Sequence, residues 1–168
     1  GGNTITLGTG TQSVTAGSGA DTITLGAGTN AINTGGGSDT VNGTLGAADT
    51  VDMDAGNDTF AYQALAGTVS GGAGSDTLTY SGAAALTVDF GTAADNISAE
   101  TGTYSNFENL NAAGATGVLT VTAAAAGGTI ATGNQGDTVT LGAGTDAVTT
   151  GLGNDTIQLG GQGQTVQY

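Results

Sequence analysis

A period of nine residues runs through this chain and limits what it can fold into more than any other feature. The segment Ala16-Gly17-Ser18-Gly19-Ala20-Asp21-Thr22-Ile23-Thr24 recurs at once as Leu25-Gly26-Ala27-Gly28-Thr29-Asn30-Ala31-Ile32-Asn33. An apolar residue holds the eighth place at Ile5, Val14, Ile23, Ile32 and Val41, then, after one inserted residue, at Val51, Phe60, Val69 and Leu78. The frame returns at Val121, Ile130, Val139, Val148, Ile157 and Val166. Repetition at a fixed short period is the signature of a solenoid. The chain divides into a first array over 1–79, a spacer over 80–117 where the period is lost, and a second array over 118–168.

Each unit joins a glycine-rich turn to a short segment such as Thr22-Ile23-Thr24, in which one β-branched residue is flanked by polar ones. Alternation along a strand points Ile23 inward and both threonines to water. Two such strands make a flattened coil of eighteen residues, and stacked coils give two parallel sheets facing each other across a thin aliphatic core. The expected class is therefore an all-β, parallel β-roll or β-solenoid with two strands per coil, interrupted by the spacer. Within the spacer, Leu86-Thr87-Val88-Asp89-Phe90 alternates like a strand, and Phe107 and Leu110 are candidates to cover one side of the solenoid. The rest of its fold is not readable.

Composition narrows function. The formal charge of −14 comes from acids alone, with no lysine, arginine or histidine. Side chains of this chain cannot build the positive surface that nucleic acids or anionic membranes require, and no apolar run approaches the ~18 residues of a membrane span. Neither nucleic-acid binding nor direct membrane insertion is expected. Self-repulsion opposes compaction unless cations intervene. Cysteine is absent, so a staple, if there is one, is not a disulfide. The chain begins at Gly1 without an initiator methionine or signal segment, as a mature product or a fragment would.

The acids fall into the eighteen-residue register. Asn3, Asp21 and Asp39 are eighteen apart, the insertion moves the next member to Asp58, and eighteen more gives Asp76. Asp137 and Asp155 repeat the relation and are assigned to the same edge, whereas the offset of nine puts Gln12, Asn30, Asp49, Gly67, Gly128, Asp146 and Gln164 on the opposite one. Strands stack about 4.8 Å apart, where two bare carboxylates repel by roughly 1 to 3 kcal/mol. Carboxylates and turn carbonyls form an all-oxygen site suited to Ca2+, with magnesium second because it prefers a stricter octahedron. Capping of its own turn explains a single aspartate. It does not explain a register that survives an insertion.

Gly71-Gly72-Ala73-Gly74-Ser75-Asp76-Thr77-Leu78-Thr79 resembles the glycine- and aspartate-rich nonapeptide of the repeats-in-toxin (RTX) family, a general example of a calcium β-helix repeat. Gly35-Gly36-Gly37-Ser38-Asp39, Gly56-Asn57-Asp58 and Gly151-Leu152-Gly153-Asn154-Asp155 are similar, and Asn106-Phe107-Glu108-Asn109-Leu110 is similar to an element found between such blocks. The resemblance implies a right-handed β-roll, calcium sandwiched between turns of successive coils, one-step (type I) bacterial export and folding outside the cell. Carried onto this chain, it implies sites at Asp21 with Asp39, Asp39 with Asp58, Asp58 with Asp76 and Asp137 with Asp155. Asn3 with Asp21, and the positions near Asp49 and Asp146, are less complete matches.

No histidine, cysteine or lysine is present for acid–base, nucleophilic or zinc chemistry, and Glu100 and Glu108 are read as solvated spacer acids rather than a glycosidase pair. No enzymatic activity is expected. The sequons at Asn42, Asn57, Asn96 and Asn154 follow from an Asn- and Thr-rich repeat. Both ends break inside the repeat frame without polar caps, which reads as continuation into more protein or stacking on a neighbour. The expected role is a secreted, calcium-stabilised structural protein of a bacterial surface layer, extracellular fibre or biofilm matrix, self-associating into a lattice or fibre. The alternative is a repeat domain assisting export and folding of a larger secreted enzyme, toxin or adhesin.

Overall fold

The computed structural model describes residues 1–63, 67–97 and 101–168. Among them the regular structure is all strand: β1 (Thr4–Thr6), β2 (Gly10–Thr15), β3 (Thr22–Leu25), β4 (Gly28–Asn33), β5 (Thr40–Gly43), β6 (Thr50–Asp52), β7 (Ala55–Gly56), β8 (Thr59–Ala61), β9 (Thr68–Ser70), β10 (Ala73–Gly74), β11 (Thr77–Thr79), β12 (Leu86–Asp89), β13 (Thr103–Ser105), β14 (Asn109–Asn111), β15 (Leu119–Thr122), β16 (Thr129–Ala131), β17 (Thr138–Thr140), β18 (Ala147–Thr149), β19 (Thr156–Gln158) and β20 (Thr165–Gln167). They stack in parallel as a β-solenoid of about nine turns. Thr22 pairs with Thr4 and Thr40 with Thr22, the eighteen-residue spacing of one coil.

One nine-stranded sheet, β1-β3-β5-β8-β11-β14-β16-β18-β20, runs through both arrays and the spacer between them. The facing side consists of a five-stranded sheet, β2-β4-β6-β9-β13, and a four-stranded sheet, β12-β15-β17-β19. Alternation places Ile23, Val41, Phe60, Leu78, Leu110, Ile130 and Val148 inward from the first sheet and Ile32, Val51, Val69, Val88, Val121 and Val139 from the other side, all buried. Each contributes about 1.5–3 kcal/mol by leaving water. With residues this small, one coil cannot stand alone; its strands need the coils above and below.

The spacer lies within the solenoid. Leu110 pairs with Leu78 in the first sheet and Phe107 is buried, so both belong to the core and neither covers a side from outside. Tyr104 of β13 sits 6.1 Å from Phe60 and 5.0 Å from Tyr62, so the spacer completes an aromatic cluster with two rings of the first array. From β11 the chain crosses to β12, then returns to lay β13 on the same face beside β9 before reaching β14. Asn96 fills the gap between the two smaller sheets: its N–H donates to Tyr104 O at 2.5 Å, and its carbonyl accepts the Asp89 N–H at 2.8 Å. Its buried side chain accepts the Phe107 N–H at 3.1 Å and donates to Thr92 O at 3.1 Å.

Candidate metal centres: two aspartate ladders

Glycine makes the turns possible. Gly56, at φ 154°, and Gly74, at φ 152°, adopt backbone conformations that side chains resist, and a Cβ on either would overlap the carbonyl oxygen of the turn below, Gly37 O and Gly56 O respectively. The same Cβ position on Gly56 lies 3.2 Å from Asp58 Oδ1. Glycine thus lets a main-chain carbonyl and a carboxylate come close together at the turn.

The aspartates follow one another on consecutive coils. Asp21 N–H donates to Asp39 Oδ1 at 2.7 Å, Asp39 N–H to Asp58 Oδ1 at 2.7 Å, and Asp58 N–H to Asp76 Oδ1 at 2.8 Å. Each aspartate caps the coil before it rather than its own turn. Asp21, Asp39, Asp58 and Asp76 are at most 1% exposed, and the second oxygen of each, Oδ2, has no hydrogen-bond partner. A buried, unpartnered carboxylate oxygen is costly unless a cation or proton satisfies it. Asn3 ends this ladder differently, with its N–H and its side-chain amide both donating to Asp21 Oδ1, at 2.5 and 2.8 Å.

In the second array Leu119 N–H donates to Asp137 Oδ1 at 2.8 Å and Asp137 N–H to Asp155 Oδ1 at 2.9 Å, with Asp137 Oδ2 buried and unpartnered. Their edge corrects the sequence reading. Asp21, Asp39, Asp58 and Asp76 precede strands of the nine-stranded sheet, whereas Asp137 and Asp155 precede β17 and β19 of the facing side. Gly128, Asp146 and Gln164 therefore share the edge of Asp21, and Asp137 and Asp155 share that of Gln12, Asn30, Asp49 and Gly67. The cause is the pair β12 and β13: two successive strands on one face break the alternation and exchange the edges.

Asp49 and Asp146 have both oxygens engaged. Asp49 Oδ1 accepts the Asn30 N–H at 2.6 Å and Oδ2 accepts the Gly46 N–H of its own turn at 2.7 Å. Asp146 accepts the Gly128 N–H at 3.0 Å and the Gln164 amide at 3.2 Å. One coil beyond Asp49 the place of an acid is taken by Gly67, whose absent Cβ would lie 2.8 Å from Leu45, a buried side chain from the turn that carries the insertion. Hydrophobic packing closes that edge.

Burial pushes the Asp58 carboxyl up to about 6, against the lowering effect of the Asp39 N–H bond and with a smaller push from the carboxylates of Asp76, Asp39 and Asp54. Asp76 is raised by burial as well. Glu108 is half-buried and accepts the Asp76 N–H at 2.9 Å, which overturns its reading as a solvated loop acid. Glu100 lies outside the described residues. Glu108 did carry a signal: it precedes inward Leu110 by two residues, as Asp21 precedes inward Ile23.

No three acidic side chains converge on one point among the described residues. An ion here would take two carboxylates and draw its remaining ligands from turn carbonyls and water, which suits a hard cation of flexible coordination. The unpartnered oxygens fit calcium, and the residues that would hold it are Asp21 with Asp39, Asp39 with Asp58, Asp58 with Asp76, and Asp137 with Asp155. A parallel β-solenoid with stacked turn carboxylates defines a calcium-binding repeat protein. The family model of the RTX calcium-binding nonapeptide repeat matches in four copies, over residues 6–41, 66–82 and 125–157, about half of the chain. The chain belongs to this family, whose repeats bind calcium and are typical of secreted proteins. No curated protein and no solved structure matches it. No helix among the described residues is long and apolar enough to cross a membrane.

Proposed function

We propose that the chain is a non-catalytic structural solenoid that calcium folds outside the cell, serving in a bacterial surface layer, extracellular fibre or biofilm matrix. The observation that carries the calcium dependence is the set of five buried aspartates, Asp21, Asp39, Asp58, Asp76 and Asp137, each with an unpartnered Oδ2, in a chain with no basic side chain to neutralise them. Support for assembly comes from the outer face of the nine-stranded sheet, whose strands carry threonine, asparagine, alanine and glutamine but no acid. At about 4.8 Å per strand it is a neutral strip roughly 40 Å long on an otherwise acidic molecule. Two copies can approach along it without opposing charges.

Family membership favours a second reading, a repeat domain that helps a larger secreted enzyme, toxin or adhesin to fold after export. Electron microscopy of the purified chain with and without millimolar calcium, alongside circular dichroism, separates the two. Ordered sheets or fibres that form only with calcium support the structural role. A monodisperse, β-rich monomer at high concentration in calcium overturns assembly and favours the repeat-domain reading. A β spectrum unchanged by excess chelator overturns calcium-dependent folding in both.

A further inference from the structure

Glu108 lies outside the matched repeats, yet its carboxylate occupies the rung that an aspartate fills in the coils before it. Asp21, Asp39 and Asp58 each donate their N–H to a carboxylate oxygen one coil on, and Asp76 donates its own to Glu108 Oε2 at 2.9 Å. The partner is thirty-two residues away instead of eighteen, because the chain makes its detour through β12 and β13 first. The main chain locks this placement. Glu108 and Asn109 N–H groups both donate to Asp76 O, at 3.1 and 3.0 Å, and the Asn109 side-chain amide donates to Ser75 Oγ at 2.9 Å.

An independent observation points to a ligand between these two turns. Asp76 is 0% exposed and its Oδ2 has no partner. Beside it a Cβ on Gly71 would stand 2.9 Å from Asp76 Oδ2 and overlap the carbonyl oxygen of Asn106, so a carboxylate oxygen and a turn carbonyl approach the same spot. We infer that Asp76 and Glu108 form a further calcium site, which closes the first ladder and fastens the spacer to the first array. Glu108 supplies the second carboxylate, Asp76 Oδ2 the first, and turn carbonyls with water the remaining oxygens of a site for a hard divalent cation. The inference rests on the calcium ladder proposed above and extends it to a residue outside the nonapeptide.

The test counts ions on the full chain by equilibrium dialysis with radioactive calcium. Glu108→Gln keeps an oxygen for the Asp76 N–H but loses the charge; Asp52→Asn alters an exposed acid on β6 and serves as the control. The expected result is one fewer calcium bound by Glu108→Gln and no change for Asp52→Asn. If Glu108→Gln binds as many ions as the unmodified chain while Asp39→Asn binds fewer, the inference is overturned and the ladder stands. If the unmodified chain binds none, both fall. Should Glu108→Gln fail to fold, the chain labelled with 13C at glutamate carboxyls decides. It holds only Glu100 and Glu108, so Glu100→Gln leaves a single signal. That signal is expected to shift on calcium addition; a signal that saturating calcium leaves unmoved overturns the site.

Discussion

Asp39 and Asp49 carry the same side chain in different hydrogen-bonding circumstances. Asp39 leaves Oδ2 buried and unpartnered between two acidic neighbours, while both oxygens of Asp49 are occupied by N–H groups. Replacing Asp39 by Ala removes a carboxylate from two intercoil positions, so Asp39→Ala is expected to raise the calcium midpoint for folding clearly more than Asp49→Ala, by a bridging term on the order of 1 to 3 kcal/mol. Calcium titrations followed by circular dichroism check it, and equal midpoints would remove the distinction between the edges. Asp58 sets a pH dependence of its own. Its carboxyl is raised from 3.8 to about 6 in the metal-free fold, which therefore binds protons more readily than the unfolded chain. That contribution to stability is fully present below about 3.8 and is lost as pH rises through about 6. In chelator, the β signal is expected to be larger at pH 4 than at pH 7, and Asp58→Asn to lessen the difference; the same signal at both pH values would contradict this.

At the scale of elements, the arrays were legible because the same physics acts nine residues at a time: one inward apolar side chain per strand and one glycine turn per half-coil. The spacer was legible only in part. Leu86 to Asp89 shows its alternation and does form β12, but a strand's pattern does not say which face it joins. Nothing local in Thr103-Tyr104-Ser105 reveals that β13 returns to the face β12 has just used, and the edge of Asp137 and Asp155 depends on that return. Leu45 was missed for a related reason, since the inserted residue was visible but the inward packing it permits was not. Asn96 reads as a sequon and proves to be the join between two sheets. Asn96→Ala leaves the buried Phe107 N–H without its acceptor and is expected to destabilise the calcium-loaded protein by about 1–3 kcal/mol. Urea unfolding in saturating calcium measures it, and a change within a few tenths of a kcal/mol would show that the main-chain bonds of Asn96 suffice.

For the whole molecule, the spacer separates two carboxylate ladders that share no side chain. Asp39→Asn and Asp137→Asn are therefore expected to combine additively in calcium-dependent stability, within about 0.3–0.5 kcal/mol; a larger departure, read from the same titrations, would mean that the spacer transmits calcium binding from one array to the other. The change of edge also has a mechanical meaning. Before it unfolds, a rod that loses calcium is expected to lengthen along the margin where bare carboxylates repel, and a rod that lengthens along one margin bows away from it. With the lengthened margin on one side before the spacer and on the other side after it, the two bends oppose each other. The rod would then yield as a shallow S and keep its heading, where an unbroken ladder of the same length would curl it into an arc.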